Sequence, residues 1–485
     1  MNTKRTLIAS AALLLCVAAQ ADDTAAPAEQ TLFNIQVSGI RKQTNINYTV
    51  PTSRAATGMD LTLRETPQSL SVMTEKQISD QGVESLQDAL NQMAGVYHSK
   101  MGNNATGDSQ FASRGMPIDT FNIDGAQKFY YTSQAIRRST NNLDSGLYEQ
   151  ISVVRGASGL SNGGLGEASG SIFLSRKKPT AQPFATVEAE IGSWKHTRLM
   201  LDANQPLNAD KTLRGRAVLI SDHGGDYLPH SHRHNHTFYG ILAYDFSPNI
   251  RVNIGTELHH NRSRGSSRFG FMTIGSDWDN DLHRPFPDNA KSNSSARWAY
   301  SRENDGELFA DVQHDFANGW QARAHYSYGF GHLKQLAGVA GASEDTLMYD
   351  YSGSLQADFT DIVPRSHNLT LNLDGQYALF GRKHDFNIGA SANINKDTTR
   401  YYTEAYVPID DMLAFNGNIR QPELRPDRNG DNKGHERTRQ YSAHASTRFR
   451  ATDRWALLAG ARATRWQYDY KTQSTKYKGA VLDKP

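Results

Sequence analysis

The chain contains the stretch Ala185-Thr186-Val187-Glu188-Ala189-Glu190-Ile191, in which apolar and polar side chains alternate with a period of two. Successive side chains of a β-strand point to opposite faces, so this pattern predicts a strand with one apolar and one polar face. The alternation returns at Leu199–Ala203, Val252–Leu258 and Leu369–Leu373. The second part of the chain is therefore predicted to be mostly β, in strands whose two faces meet different surroundings.

The predicted strands are joined by connections of two lengths. Apart from a tight turn at Ser193–Trp194, long connections such as 261–304 alternate with short ones such as 247–248. A soluble sandwich also alternates but shows no such rhythm. Short turns on one rim and long loops on the other are typical of a transmembrane antiparallel β-barrel, with apolar residues facing lipid and polar residues facing the lumen. The strands are predicted near residues 184–193, 195–205, 212–222, 235–246, 249–260, 305–316, 319–332, 367–380, 383–395, 437–450 and 453–468.

The overall composition excludes several classes of protein. The 485 residues include 52 Lys and Arg against 50 Asp and Glu, and this near balance gives no basic field for binding nucleic acid. A membrane-spanning helix needs ~20 mainly apolar residues. Beyond the N-terminus, the longest apolar stretch is the short run Trp455–Ala461. The single cysteine, Cys16, precludes stabilisation by an internal disulfide.

The N-terminus has the pattern of an export signal. Lys4 and Arg5 precede the apolar run 6–19, and Ala19 and Ala21 are the small residues that a signal peptidase recognises. We expect residues 1–21 to be a signal peptide that is cleaved after about Ala21. Residues 22–58 are polar and lack periodicity, which predicts a periplasmic tether.

Residues 59–181 have the pattern of a small α/β domain. Thr74 is a suitable N-cap for a helix over Glu75–Gln81 that ends at Gly82. Apolar residues at helical spacing from Val83 to Met93 predict a second helix, and short strands are predicted at Thr120–Ile123 and Ile151–Val154. The remaining residues, 182–485, are assigned to the barrel.

Several ordered motifs in the α/β domain resemble the plug of TonB-dependent siderophore receptors. They are Glu65–Val72 (ETPQSLSV), Asp88–Leu90 (DAL), Ser113–Gly115 (SRG), Asn122–Gly125 (NIDG) and Val153–Leu160 (VVRGASGL). Two further segments, Tyr377–His384 and Leu413–Gly417, resemble hydroxamate receptors of the ferric-coprogen and ferric-rhodotorulic acid type, with pyoverdine receptors next.

The resemblance implies both an architecture and a transport function. The family fold is a globular plug inside a barrel of 22 strands, in the outer membrane of a Gram-negative bacterium. Such a protein is a monomeric importer in outer-membrane lipid, binds a ferric siderophore from outside, is driven by TonB and is not an enzyme. The segment that TonB would bind is expected at Thr31, Leu32, Phe33, Ile35 and Val37, which could add a strand to the edge of a partner's sheet. An ordinary stretch of tether is the alternative.

The resemblance also directs the choice of site residues. The oxygen atoms of a siderophore already fill the coordination sites of its iron. The receptor therefore needs aromatic walls and a few polar groups rather than metal ligands or a cofactor. The ligand-binding residues are predicted to be Lys128, Tyr130, Tyr131 and Trp278. Charge pairs that hold the plug in the wall are predicted at Arg114, Arg155, Glu188 and Glu190.

Other functions are weighed against import of a ferric siderophore. His230, His232, His234 and His236 share one face of a predicted strand, which would suit haem or another metal complex, or simply a solvated loop tip. A passive pore or adhesin is the alternative from another class, although neither needs a plug or a tether that transmits force.

The strand count itself raises an expectation about the chain. Residues 183–485 provide about 11 predicted strands, half of the 22 that the family barrel contains. An open sheet leaves backbone groups unpaired in hydrocarbon. We therefore expect a truncated product or a fragment, the N-terminal part of a receptor, whose barrel does not close as it stands.

Overall fold

The computed structural model describes residues 33–40, 47–101, 108–118, 120–128, 143–156, 169–265, 273–274, 284–285, 292–342, 353–424, 433–472, 476–478 and 482–484. Two helices and a group of short strands form a domain that we call the plug. Its elements are β2 (Thr52–Ser53), β3 (Leu61–Thr62), β4 (Ser69–Thr74), α1 (Glu75–Asp80), α2 (Leu86–Asn91), β5 (Tyr97–Met101), β6 (Asp108–Ser113), β7 (Met116–Pro117), β8 (Thr120–Ile123), β9 (Ala126–Lys128), β10 (Tyr148–Arg155) and β11 (Gly170–Arg176).

Long antiparallel strands follow the plug and form a sheet that we call the wall. Its strands are β12 (Phe184–Gly192), β13 (His196–Pro206), β14 (Leu213–Gly225), β15 (His232–Ser247), β16 (Ile250–Arg264), β19 (Tyr300–Asp315), β20 (Gln321–Ala342), β21 (Gly353–Leu379), β22 (Arg382–Ile409), β23 (Lys433–Arg450) and β24 (Ala456–Lys471). Shorter strands are β1 (Phe33–Ile40), β17 (Thr273–Ile274), β18 (Arg284–Pro285), β25 (Lys476–Lys478) and β26 (Leu482–Lys484).

Each wall strand pairs with the next wall strand along the chain. The order is β1-β12-β13-β14-β15-β16-β19-β20-β21-β22-β23-β24-β25, with β26 also on β24. All the predicted wall strands are confirmed. Several extend beyond the predicted bounds, since β20 reaches Ala342 and β21 begins at Gly353, inside the predicted loop 333–366. One face of these added ends packs in an apolar cluster that includes Ala340, Leu355 and Ala357.

The two faces of the wall differ as the alternation predicts. On β12, Ile191 is 62% exposed, whereas Thr186 on the other face is buried against the plug side. Ile254 on β16 is likewise 61% exposed, and its neighbour Asn253 is buried. The apolar face is therefore the outer one, and the polar face encloses the plug.

The plug is built around a small mixed sheet and two capped helices. Its main sheet has the order β4-β10-β11-β8-β9, in which β11 and β8 run parallel. Thr74 caps α1 in a capping box with Gln77, which confirms the predicted start of the helix. The second helix begins later than predicted, because Ser85 caps it and Val83 lies before the cap.

The apolar core continues from the plug into the wall. Leu86, Ala89 and Leu90 of α2 are fully buried, as predicted for the inner stripe of that helix. The same cluster includes wall residues such as Tyr239 and Phe309. The inner face of the wall therefore supplies part of the plug's core, and the two regions stabilise each other by burying apolar surface.

Candidate functional site between plug and wall

A buried arginine at the end of the last plug strand joins the plug to the wall. Arg176 donates from Nη1 to Oδ2 of Asp124 in the plug, at 2.9 Å. It also pairs with Glu257 on β16, and with Glu307 on β19 at 3.0 Å. The Arg176 side chain is only 3% exposed, and its guanidinium lies 4.8 Å from the centre of the Phe309 ring. We call Arg176, Asp124, Glu257 and Glu307 the arginine cluster.

The charges of this cluster are mutually dependent. Burial alone would lower the pKa of Arg176, but Glu257 and Glu307 hold that pKa well above its ordinary value. His259 adds a second partner for Glu257, with 2.6 Å between Nε2 and Oε1. Buried carboxylates are tolerated when they are paired in this way, and removing a partner leaves an uncompensated charge.

The predicted ligand-binding residue Lys128 lies beside the arginine cluster. Its Nζ pairs with Glu307 and donates to Oγ of Ser327 at 3.1 Å. Burial lowers the pKa of Lys128. These contacts are with the wall, and a role in binding ligand stays a prediction. The other three predicted ligand-binding residues, Tyr130, Tyr131 and Trp278, lie outside the described residues.

A second ionic group connects the first turn of α1 to the wall. Lys177 pairs with Glu75 of α1 and with Asp202 of β13, each at 3.1 Å. Arg216 of β14 reaches the same two carboxylates, at 3.0 and 2.7 Å. The hydroxyl of Tyr239 also donates to the carbonyl oxygen of Lys177, at 2.7 Å. Two cations and two carboxylates thus alternate across the boundary between plug and wall.

The two predicted wall carboxylates, Glu188 and Glu190, lie half-buried on the inner face of β12. Glu190 shares a hydrogen bond with Glu84 of the plug. Burial, followed by this hydrogen bond, raises the pKa of Glu84 to about 9. Glu188 interacts electrostatically with Arg198 of β13. The structure therefore brings Glu190 to the plug, whereas the interaction it gives for Glu188 is within the wall.

The two predicted plug arginines make contacts inside the plug instead. Arg155 donates from Nη1 to Oγ of Ser71 at 2.9 Å, and it also contacts the carbonyl oxygen of Ala94. The Nη1 atom of Arg114 lies 2.9 Å from the position that a Cβ on Gly156 would occupy. The described contacts of these two arginines are therefore within the plug, and pairing with the wall stays a prediction.

The basic residues that do reach the wall were missed by the sequence analysis. Arg176, Lys177 and Lys178 form a run just before Pro179, where the plug pattern ends and the wall pattern begins. Such a run is usually a solvated surface patch, so its sequence alone does not indicate burial. Its position at the boundary was the available signal, and the structure buries Arg176 and Lys177 between plug and wall while Lys178 is exposed.

A polar cavity of about 440 Å³ lies between plug and wall. Its lining includes Arg54 and Asp124 from the plug and Asp311 and His325 from the wall. Nδ2 of Asn122 and Nε2 of His325 have no hydrogen-bond partner among the described residues. A polar cavity of this size accommodates water. Part of the boundary between plug and wall is therefore hydrated rather than closed by apolar packing, and the polar contacts there can exchange with water.

The segment predicted to bind TonB forms a strand at one edge of the wall. β1 pairs antiparallel with β12, with Phe33 opposite Ile191, Ile35 opposite Ala189 and Val37 opposite Val187. Thr31 and Leu32 lie outside the described residues. The prediction of an irregular tether over 22–58 did not include this strand. Its edge position shows that the segment can add to a sheet, and binding to TonB stays a prediction.

The predicted histidine row is divided in the structure. His232, His234 and His236 occupy alternate positions on β15 and are exposed. His230 precedes that strand, and its Nε2 lies 2.9 Å from the carbonyl oxygen of Ser295. The ring of His223 on β14 joins the exposed group, 4.9 Å from His234 and 5.0 Å from His236. This group is on the outer face, away from the plug.

An exposed ion pair between plug and wall is expected to contribute little to the stability of the plug. Glu65 of the plug accepts a hydrogen bond from Nη2 of Arg448 at 2.8 Å, and its side chain is 37% exposed. We expect Glu65→Gln to change the free energy of plug unfolding by less than about 1 kcal/mol, because water screens such pairs. Arg448 lowers the pKa of Glu65, so the contribution is present at neutral pH and is lost as the pH falls through that pKa. The rate of plug proteolysis would be measured for Glu65→Gln and for the unsubstituted protein, at pH 7 and at pH 3. A large difference between the two proteins at pH 3 would contradict this account.

The chain matches two protein-family models. Residues 62–170 match the TonB-dependent Receptor Plug Domain, and residues 251–482 match the TonB dependent receptor-like beta-barrel. Among the described helices, none has the length and apolar character to cross a membrane.

Curated relatives and solved structures agree with these matches. The chain is 29% identical over 481 residues to the Ferripyoverdine receptor of Pseudomonas aeruginosa. The aligned region covers 96% of this chain and 57% of the relative. It is 24% identical over 388 residues to the Ferrioxamine B receptor of Salmonella typhimurium, covering 77% of this chain and 52% of the relative. The crystal structure of the Pseudomonas aeruginosa ferripyoverdine receptor bound to ferripyoverdine superimposes with a TM-score of 0.79 at 25% identity, over 93% of this chain and 59% of that one.

The chain thus spans little more than half the length of the relatives it matches. Within that span it has a plug packed against the inner face of an antiparallel wall, with buried ion pairs across the boundary. The two regions match the plug model and the β-barrel model of TonB-dependent receptors, respectively. The chain has the plug and β-barrel domains of a TonB-dependent receptor.

Proposed function

We propose that this chain is part of an outer-membrane receptor that imports a ferric siderophore with energy supplied through TonB. One observation carries the proposal: a folded plug is held inside the wall by buried but polar contacts. A passive pore or an adhesin has no need of a domain that obstructs the lumen. A receptor that is opened by force needs a plug that is stable at rest and joined to the wall by interactions that can be broken singly.

The distribution of side chains supports a location in the outer membrane. Exposed apolar residues lie on the outer face of the wall, on strands from β12 to β24. Backbone groups in lipid need partners within a sheet, and the antiparallel ladders supply them between neighbouring strands of the wall. A signal peptide over residues 1–21 is consistent with export to that membrane. The protein acts as a monomer, with lipid around its outer face.

The cargo is proposed to be a ferric siderophore of the hydroxamate type. The relatives named above are receptors for ferripyoverdine and for ferrioxamine B. The hydroxamate assignment rests on the likeness of Tyr377–His384 and Leu413–Gly417 to receptors of that type. The first of these segments spans the turn between β21 and β22, and Phe415 of the second packs on an apolar cluster with Met412. They support a relationship and do not themselves line the cavity.

Uptake by intact cells tests the function. The receptor of which this chain is a part would be expressed in Gram-negative cells without their own siderophore receptors, in matched strains with and without TonB. We expect accumulation of radiolabelled iron from ferrioxamine B, ferric coprogen or ferripyoverdine only in the strain with TonB. Uptake confined to haem would favour the haem alternative, and uptake independent of TonB would favour a passive pore.

A further inference from the structure

Three side chains with metal-ligand chemistry meet where the plug touches the first wall hairpin. Glu84 lies between α1 and α2, Glu190 is on β12, and His196 is the first residue of β13. One ligand atom from each lies within 4.8 Å of the other two. The tight turn at Ser193–Lys195 places Gly192 opposite His196, so Glu190 and His196 come from one hairpin. We call these three residues the plug–hairpin triad.

A fourth carboxylate and a small cavity lie beside the triad. Nε2 of His196 lies 3.6 Å from Oε2 of Glu84 and 3.0 Å from Oδ1 of Asp222 on β14. A small cavity of about 70 Å³ borders Glu84 and Asp222 but is not lined by Glu190 or His196. It has space for a water molecule beside the triad. All four side chains are partly buried, so an ion there would be shielded from bulk water without being sealed off.

The chemistry of the triad favours a cation. Two carboxylates in hydrogen-bonding contact repel each other when both are ionised, unless a proton or a cation lies between them. The arginines nearby are already paired, since Arg198 bonds Asp144 at 2.8 Å and Arg233 bonds Asp222 at 3.2 Å. One imidazole nitrogen with two carboxylate oxygens is a set that suits Zn²⁺ and similar transition metals, whereas Ca²⁺ and Mg²⁺ prefer oxygen ligands alone.

We propose that Glu84, Glu190 and His196 bind a divalent transition-metal ion such as Zn²⁺, which ties the plug to the first wall hairpin. A water molecule supplies the fourth ligand of a tetrahedral site, since Asp222 is paired with Arg233. The ion is separate from the transported iron, and the site does not depend on which cargo the receptor carries. It adds a contact between plug and wall that is strong at rest and is broken when Glu84 moves with the plug.

Metal binding would be measured on the purified full chain in detergent, after removal of metal with a chelator. The exposed histidines of β15 are a second potential site, so the measurements would use a His234→Asn, His236→Asn background. Titration with Zn²⁺ by calorimetry, and with Co²⁺ by visible absorption, is expected to show one site. Glu84→Gln and His196→Gln should each weaken it at least about tenfold. Glu188→Gln, on the same strand but outside the triad, should leave it unchanged.

A second experiment measures whether the bound ion stabilises the plug against proteolysis. Zn²⁺ is expected to slow proteolysis of the plug in the background protein and to have no effect after His196→Gln. The Gln variants are nearly isosteric and relieve the repulsion between carboxylates, and circular dichroism would confirm that they fold. Absence of Zn²⁺ binding in the background protein, or undiminished binding in both Gln variants, would overturn the proposal and leave a shared proton between Glu84 and Glu190.

Discussion

Arg176→Met is expected to destabilise the plug within the wall by about 3–5 kcal/mol, because it leaves buried carboxylates without their cation. Arg176 contacts carboxylates on both sides of the boundary, Asp124 in the plug and Glu257 and Glu307 in the wall. Lys128 and His259 remain as partners of the two wall glutamates, so we expect a value near the lower end. Methionine replaces the aliphatic stem of arginine but is shorter and supplies no charge.

The measurement is the rate at which a protease cleaves the plug in the folded protein. When opening is fast relative to cleavage, the rate follows the population of the open form. A loss of 3 kcal/mol raises that population by more than about 100-fold, since 1.4 kcal/mol is a factor of ten. Arg114→Met serves as the matched control, because Arg114 is exposed and its described contact is within the plug. Equal rates for both variants would refute the role of the arginine cluster.

Arg176→Lys separates charge from geometry. Lysine keeps the positive charge but cannot reach three carboxylates with the planar fork of a guanidinium. We expect this variant to recover only part of the lost stability. Full recovery would show that charge alone matters at this position, and the shape of the arginine cluster would then be incidental.

Ile35→Pro is expected to abolish TonB-dependent uptake, a loss of at least about 100-fold in the initial rate. Addition of a strand to a sheet edge depends on backbone hydrogen bonds, and proline both removes an N–H group and constrains the chain. Ile35 lies at the centre of β1, opposite Ala189 of β12. The segment would have to leave this edge to pair with TonB, so both interactions use the same backbone groups.

Two readouts distinguish these roles of β1. Capture of the purified periplasmic domain of TonB should be lost in Ile35→Pro and retained in Ile35→Val, which preserves a β-branched side chain. Binding of the ferric siderophore to intact cells should remain normal in both variants, because the plug and wall are unchanged. Normal TonB capture by Ile35→Pro would show that the TonB-binding segment lies elsewhere in the chain.

Much of the architecture follows from local sequence. Alternation at Ala185–Ile191 reveals a strand with two unlike faces, because side-chain direction in an extended chain depends only on position. Thr74 and Gln77 form a capping box because the bonding groups are three residues apart. These features require no knowledge of the rest of the fold. The outer ends of β20 to β22 were missed, because the apolar cluster of Ala340, Leu355 and Ile409 that buries one face there forms only when the three strands pair.

The candidate site depends on contacts that sequence spacing does not encode. Arg176 and Glu307 are 131 residues apart, and only the wrapping of the wall around the plug brings them together. Arg114 and Arg155 precede glycines in family-like motifs, and their described contacts are within the plug. The amino-acid sequence determined by itself the strands, the helix caps and the relationship to the receptor family. The tertiary structure decided which charges are buried together, because the energy of a charge depends on its neighbours and its distance from water, and both are set by packing.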